Sequence, residues 1–110
     1  LGVNPALLEA FSAVSPQVTE AMAKSVLERT PEAVWSAAVT GHLGPGAPTE
    51  LDGRIFIAIA RRERTSVDLV SLAETAAPQL AGSTRKERQA EAAALVLERL
   101  DWAIRNLAKT

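Results

Sequence analysis

Apolar positions along the chain change period several times, and each change marks an element. Leu7, Leu8 and Phe11 fall on one side of a short helix entered at Asn4-Pro5. There Asn serves as N-cap and Pro fits the first helical position. Ser15-Pro16 repeats the signal. Beyond it Val18, Met22, Ser25, Val26 and Arg29 line one side, with Ala21 adjoining, while Glu20, Lys24 and Glu28 follow at i, i+4 spacing on another. The pattern predicts an amphipathic helix from Pro16 to about Arg29. Thr30-Pro31 ends it, because proline disfavours helical geometry in the residue before it.

The period then shortens. Ala33 to Thr40 predicts a short strand, and Ile55 to Ala60, apolar on both faces, predicts a central strand covered on each side. Arg61 to Arg64 reads as a polar turn and Thr65 to Leu72 as the returning arm of a hairpin, followed by a loop from Glu74 to Gly82. Thr84-Arg85-Lys86-Glu87 fits a capping box and opens a helix running to about Lys109. At 1.5 Å per residue that helix is about 37 Å long. Its main stripe is Ala90, Ala93, Ala94, Leu97, Leu100, Ile104, Leu107 and Ala108, widened by Leu95, Val96 and Ala103. Trp102 lies off the stripe, as a packing residue or a self-association contact. Helix, helix, strand, loop, strand, strand, helix is the order of a layered α/β domain.

A chain of 110 residues supports one core and one domain. Twelve basic against thirteen acidic residues leave a net charge of −1, which argues against a nucleic-acid or anionic-membrane partner. Arg61, Arg62 and Arg64 cluster, but Glu63 interrupts them without interleaved aromatics, so a solvated turn is favoured over a nucleic-acid patch. Cysteine is absent, which excludes thiol chemistry and suits a reducing compartment. No apolar run approaches the roughly 20 residues of a membrane helix. With no signal-peptide pattern at the start, the expected location is cytoplasmic. The chain opens on Leu1-Gly2-Val3 rather than Met, so a fragment, a processed product and a chain with further residues upstream all stay open.

The richest stretch for chemistry is Ala38-Val39-Thr40-Gly41-His42-Leu43-Gly44-Pro45-Gly46-Ala47-Pro48. Gly41, Gly44 and Gly46 permit close approach to the backbone, and Pro45 and Pro48 stiffen it. A Thr at a strand's carboxyl end followed by backbone N–H groups can cradle a phosphate or other oxyanion, and the same residues can form an ordinary tight connection. No Gly-Lys-Ser/Thr follows, so this is not a Walker-type loop. His42, the single histidine, has no further ligand-type residues beside it, which argues against a metal. It is placed for acid–base work or for a plain backbone hydrogen bond. Glu50 and Asp52 could pair as carboxylates or form a polar turn. The helix start at Thr84, flanked by Arg85 and Arg88, offers N–H groups and a positive dipole end to an anion. Together the Thr40 loop and this helix start would suit a phosphorylated small molecule.

These same residues carry a likeness. Ala38 to Gly46 resembles the A-V-T-G-I-A-G-P-G loop of the CinA C-terminal domain family, the nicotinamide mononucleotide amidases and competence/damage-inducible proteins. Leu1-Gly2-Val3 and Ala13-Val14-Ser15 resemble its L-L-G-V and G-A-V-S elements, Gly53 to Ala60 its G-T-V-W-I-A strand, and Arg88-Gln89-Ala90 through Leu95 its R-Q-x-x-x-A-A-L helix. The likeness covers nearly the whole chain in order. It implies a three-layer α/β/α sandwich with a small mixed sheet and a long C-terminal helix, and hydrolysis of the nicotinamide mononucleotide carboxamide to nicotinate mononucleotide and ammonia. It implies no metal or organic cofactor, a homodimer, and substrate contacts from Thr40, Gly41, Gly44, Gly46 and Arg85 or Arg88, and His42 in the same loop is taken as a further contact. Where the family has Ile-Ala, this chain has His42-Leu43. The family's nucleophilic Ser, in E-S-x-T-G-G, and its partner Lys lie upstream of the L-G-V element, so residues 1–110 are expected to form one such domain without its first strand and helix. A hairpin plus one strand is also a small sheet for such helices to cover. The alternatives are a non-catalytic nucleotide-binding or subunit-interaction domain of the same fold, and a helical interaction module using Leu97 to Leu107.

Overall fold

Ile55, Ile57 and Ile59 point one way from a single strand, Ala58 and Ala60 the other, and that alternation organises the fold. The structure, a computed structural model, describes residues 3–6, 14–41, 43, 52–64 and 68–107. The described elements are α1 (Pro16–Glu28), β1 (Trp35–Gly41), β2 (Ile55–Arg64), β3 (Asp68–Ala76) and α2 (Arg85–Leu107). The strands lie in the order β1-β2-β3, both pairings antiparallel, so β2 is central as its two apolar faces require. The layered α/β class and the long last helix are as expected; the three described strands are antiparallel throughout rather than mixed.

The two faces of β2 select different partners. The isoleucine face packs on Leu80, Ala92 and Ala103, with Trp35, Ala37, Leu95, Val96, Leu100 and Leu107 around them. Ala58 and Ala60, with Ala38 of β1, leave room for the backbone of α1 to come close through Ala23 and Leu27. Ser36 Oγ donates to the Ala23 carbonyl at 2.6 Å, tying α1 to β1 directly.

Ser15 caps α1 by accepting from the Val18 N–H at 3.2 Å, and the helix stops at Glu28, ahead of Thr30-Pro31. Asn4 Oδ1 accepts from the Ala6 N–H at 2.9 Å, the local cap expected there. Residues 7–11 of that short helix, residues 65–67 of the hairpin, and Ala108 and Lys109 lie outside the described residues.

Two expectations about the strands change. Arg61 to Arg64 is strand, because its first two arginines are anchors rather than solvated turn residues. Arg61 Nη1 donates to the Leu107 carbonyl at 2.6 Å and its guanidinium stacks 5.5 Å from the Trp35 ring centre, pinning the end of α2. Arg62, 7% exposed, donates to the carbonyls of Leu27, Thr30 and Ala33, which satisfies the open end of α1. β3 continues to Ala76, past the point where a loop was expected, by absorbing a bulge between the Ile59–Glu74 and Ala60–Leu72 pairs.

On both helices the inward face only partly matches the expected one: Val18, Met22 and Ser25 of α1 and Leu95, Val96, Leu100, Ala103 and Leu107 of α2 do pack inward. α1 buries Thr19, Ala23 and Leu27 with Val18 and Ser25, and leaves Val26 and Arg29 outside. α2 buries Arg88, Ala92 and Ala103, while Ala90, Ala93, Ala94, Leu97 and Ile104 of the expected stripe are exposed. The cause is the same: these helices are apolar or small around much of their circumference, and the sheet and its arginine anchors choose the face.

Candidate functional site

Strand β1 delivers Thr40 and Gly41 to its carboxyl end, beside the start of α1 and opposite Phe56 and Ile55 of β2. Gly41 has a packing reason. A Cβ there would run into the Ile55 side chain, so only glycine lets β1 lie flat against β2 at this point. Thr40 Oγ1 lies 2.8 Å from Thr19 Oγ1, which in turn donates to the Ser15 carbonyl at 2.6 Å. Next to Phe56, an open depression of about 260 Å³ is lined by Pro16, Glu20, Phe56, Ile57 and Thr75 to Ala77.

The connection after Gly41 is fastened at both described ends by α2. Arg88 Nη1 donates to the Leu43 carbonyl at 3.0 Å and to Asp52 Oδ1 at 2.6 Å, and Nε donates to the Gly82 carbonyl at 2.8 Å. Asp52 is thereby an ion-pair partner. Its paired reading with Glu50 falls on a residue outside the described set. Gly53 follows at φ 78°, where a Cβ would stand 2.9 Å from Gln79 Nε2 and 3.4 Å from Arg88 Cζ.

The start of α2 supplies its own anions. Thr84 and Glu87 form the capping box: Glu87 N–H donates to Thr84 Oγ1 at 3.1 Å and Thr84 N–H to Glu87 Oε1 at 3.0 Å, joined by the Ser83 N–H at 3.1 Å. Glu91 Oε1 accepts from the Ala81 and Gly82 N–H groups at 3.0 and 2.8 Å, and its Oε2 from Ala81 at 2.8 Å. These N–H donors, led by Thr84 for Glu87 and by Ala81 for Glu91, hold both carboxyls below the usual carboxylate value. The N–H groups of residues 81–84 are therefore engaged by this chain's own carboxylates.

Of the residues singled out from the sequence, Thr40 and Gly41 stand together at the β1 end. Arg85 is the exposed first residue of α2, and Arg88 is buried one turn further on and reaches the Leu43 carbonyl. His42, Gly44 and Gly46 lie outside the described residues. Sequence reasoning missed Thr19 and Glu91. The Ser15/Thr19 spacing, i and i+4 at a helix start, was the available signal for the first. No group of three His, Cys, Asp or Glu positioned for a metal occurs among the described residues. Nor, among them, is any helix long and apolar enough to cross a membrane.

A two-sided α/β domain whose first described strand, flanking the central one, carries a Thr-Gly end against a capped helix start is the class that fold and site define. The CinA C-terminal domain model matches residues 1–103, and the chain belongs to that family. A CinA-like protein of Chlorobium phaeovibrioides is 45% identical over 64 residues, 56% of this chain and 15% of that protein. One from Mycobacterium marinum is 50% identical over 50 residues, 46% of this chain and 12% of that protein. Among solved structures, the competence/damage inducible protein CihA from Agrobacterium tumefaciens superposes with a TM-score of 0.71 at 30% identity, over 94% of this chain and 59% of its own. A competence or damage-inducible protein from Enterobacter asburiae gives 0.70 at 27%, over 94% and 60%. The chain thus spans about three fifths of these solved neighbours and a much smaller part of the curated relatives it matches.

Proposed function

We propose that this domain takes part in hydrolysing the carboxamide of nicotinamide mononucleotide, giving nicotinate mononucleotide and ammonia. The C–N bond breaks, the oxygen of water ends in the carboxylate, and the amide nitrogen leaves as ammonia. The family match over residues 1–103 carries this reading. The Thr40-Gly41 strand end beside α1 supports it, with an exposed Arg85 one helical turn from the residue that reaches the Leu43 carbonyl. In this reading Thr40, His42 and the loop glycines Gly41, Gly44 and Gly46 hold the nucleotide, Arg85 meets the phosphate, and Arg88 sets the loop's ends. The Ser nucleophile and its Lys come from a segment upstream of Leu1 in the family pattern, completing the domain with a strand and helix. No metal or organic cofactor enters this chemistry.

Titration calorimetry with nicotinamide mononucleotide, nicotinate mononucleotide and nicotinamide riboside tests the reading. Binding of the nucleotides, weakened for them but not for the riboside by Arg85→Ala, is the expected result. No heat from any of the three at millimolar concentration would remove it. Ammonia release is then measured on the chain extended upstream through an E-S-x-T-G-G segment.

One observation favours a second reading, a non-catalytic subunit-interaction domain of the same fold. The outward side of α2 exposes Leu97 (66%) and Ile104, and among the described strands β1 pairs only with β2. Sedimentation equilibrium distinguishes it: a dimer lost in Leu97→Lys, with no nucleotide bound, would favour this reading.

A further inference from the structure

We propose that Thr40 recognises an amide rather than a carboxylate, and that buried Thr19 imposes this choice without touching the ligand. The inference rests on the amidase reading above and names which end of the reaction the site prefers.

A threonine hydroxyl owns one proton. Thr19 Oγ1 lies 2.6 Å from the Ser15 carbonyl, which can only accept, so the Thr19 proton is spent there. The same oxygen lies 2.8 Å from Thr40 Oγ1. Only one assignment satisfies both contacts: Thr40 donates to Thr19. The Thr40 proton is then turned inward to α1, and its oxygen presents lone pairs to anything that approaches the β1 end.

Such an oxygen matches a group carrying N–H. The –NH₂ of a carboxamide donates to it, whereas a carboxylate sets oxygen against oxygen. In the proposed reaction the substrate bears the amide and the product the carboxylate. The hydroxyl therefore favours substrate and helps release product. A phosphate or oxyanion gains nothing from this atom, so the oxyanion cradle expected at Thr40 would have to be made by backbone N–H groups alone.

Thr19 can be altered cleanly. It is 1% exposed, valine matches its shape, and the Ser15 carbonyl keeps its helical bond from the Thr19 N–H at 3.1 Å. Removing the Thr19 hydroxyl frees the Thr40 proton to point outward.

The measurement is the pair of dissociation constants for nicotinamide mononucleotide and nicotinate mononucleotide, in wild type, Thr19→Val, Thr19→Ser and Thr40→Val. Wild type is expected to prefer the amide. Thr19→Val shifts that preference about tenfold toward the carboxylate, and Thr19→Ser restores it. Thr40→Val, at a partly exposed position, weakens the amide and spares the carboxylate. An unchanged ratio in a folded Thr19→Val, or equal weakening of both ligands in Thr40→Val, overturns the inference while the amidase reading stands. Wild type that binds neither nucleotide overturns both.

Discussion

Arg88 Nη1 lies 2.6 Å from Asp52 Oδ1 and 3.0 Å from the Leu43 carbonyl, so one nitrogen on α2 holds the exit and the entry of the β1–β2 connection together. The side chains are 11% and 28% exposed, and the guanidinium also serves the Gly82 carbonyl. Arg88→Ala would leave a carboxylate and two carbonyls without this donor. The expected loss is about 3 kcal/mol in urea unfolding, as for other largely buried ion pairs broken on one side. A loss below about 1 kcal/mol would mean that water replaces the guanidinium without difficulty.

Arg62 performs the corresponding task on the opposite face. Its donors reach the carbonyls of Leu27, Thr30 and Ala33, where α1 ends and the chain turns toward β1. Arg62→Lys should recover little of the stability lost in Arg62→Ala. A lysine carries one compact ammonium and cannot span three carbonyls as a planar fork does. Equal stability of Arg62→Lys and wild type by thermal melting would contradict the account.

Acid should loosen the start of α2. Glu87 and Glu91 have folded-state pKa values below the ordinary 4.5, through N–H donors led by Thr84 and Ala81 respectively. A depressed carboxylate contributes its stability above the unfolded value and loses it as pH falls through the folded one. The amide shifts of Ala81, Gly82, Ser83 and Thr84 should therefore hold steady down to about pH 4.5 and move below it. Midpoints at or above 4.5 would count against these hydrogen bonds in solution.

Gly53→Ala should destabilise by about 1–3 kcal/mol. The position combines φ 78° with a neighbour, Gln79 Nε2, only 2.9 Å from where a Cβ would sit. The same change at an exposed helical site such as Gln89 should be neutral or slightly stabilising, which makes it the control. Melting temperatures that agree between the two would exclude strain at Gly53.

The face of α2 that meets the sheet can be checked by placing a charge on each side. Leu97→Lys should change monomer stability by less than about 0.5 kcal/mol, whereas Ala103→Lys, at a fully buried position, should unfold the domain or nearly so. The reverse order would put Leu97 rather than Ala103 on the buried face.

What was legible in the chain was local. Ser15-Pro16 and Thr84 to Glu87 start helices because a side chain and the backbone N–H groups it caps lie within one turn, and Ile55 to Ala60 is a strand because both its faces are apolar. The Thr-Gly loop was legible as a resemblance, and the family it indicated is the one to which the chain belongs. The arginines were not legible. Arg61 and Arg62 look like solvated charges, and Arg88 like an anion-binding one, until Leu107, Leu27 and Leu43 are brought to them from 46, 35 and 45 residues away. Nor could periodicity choose a face for α2, since Ala90, Ala93 and Leu97 are as apolar as Ala92, Val96 and Ala103. By itself the sequence determined where elements begin and what they are, because caps, turns and alternation act between neighbours. Only the tertiary structure decided which faces are buried and that the Thr40 hydroxyl meets that of Thr19, because those depend on groups that meet across the fold.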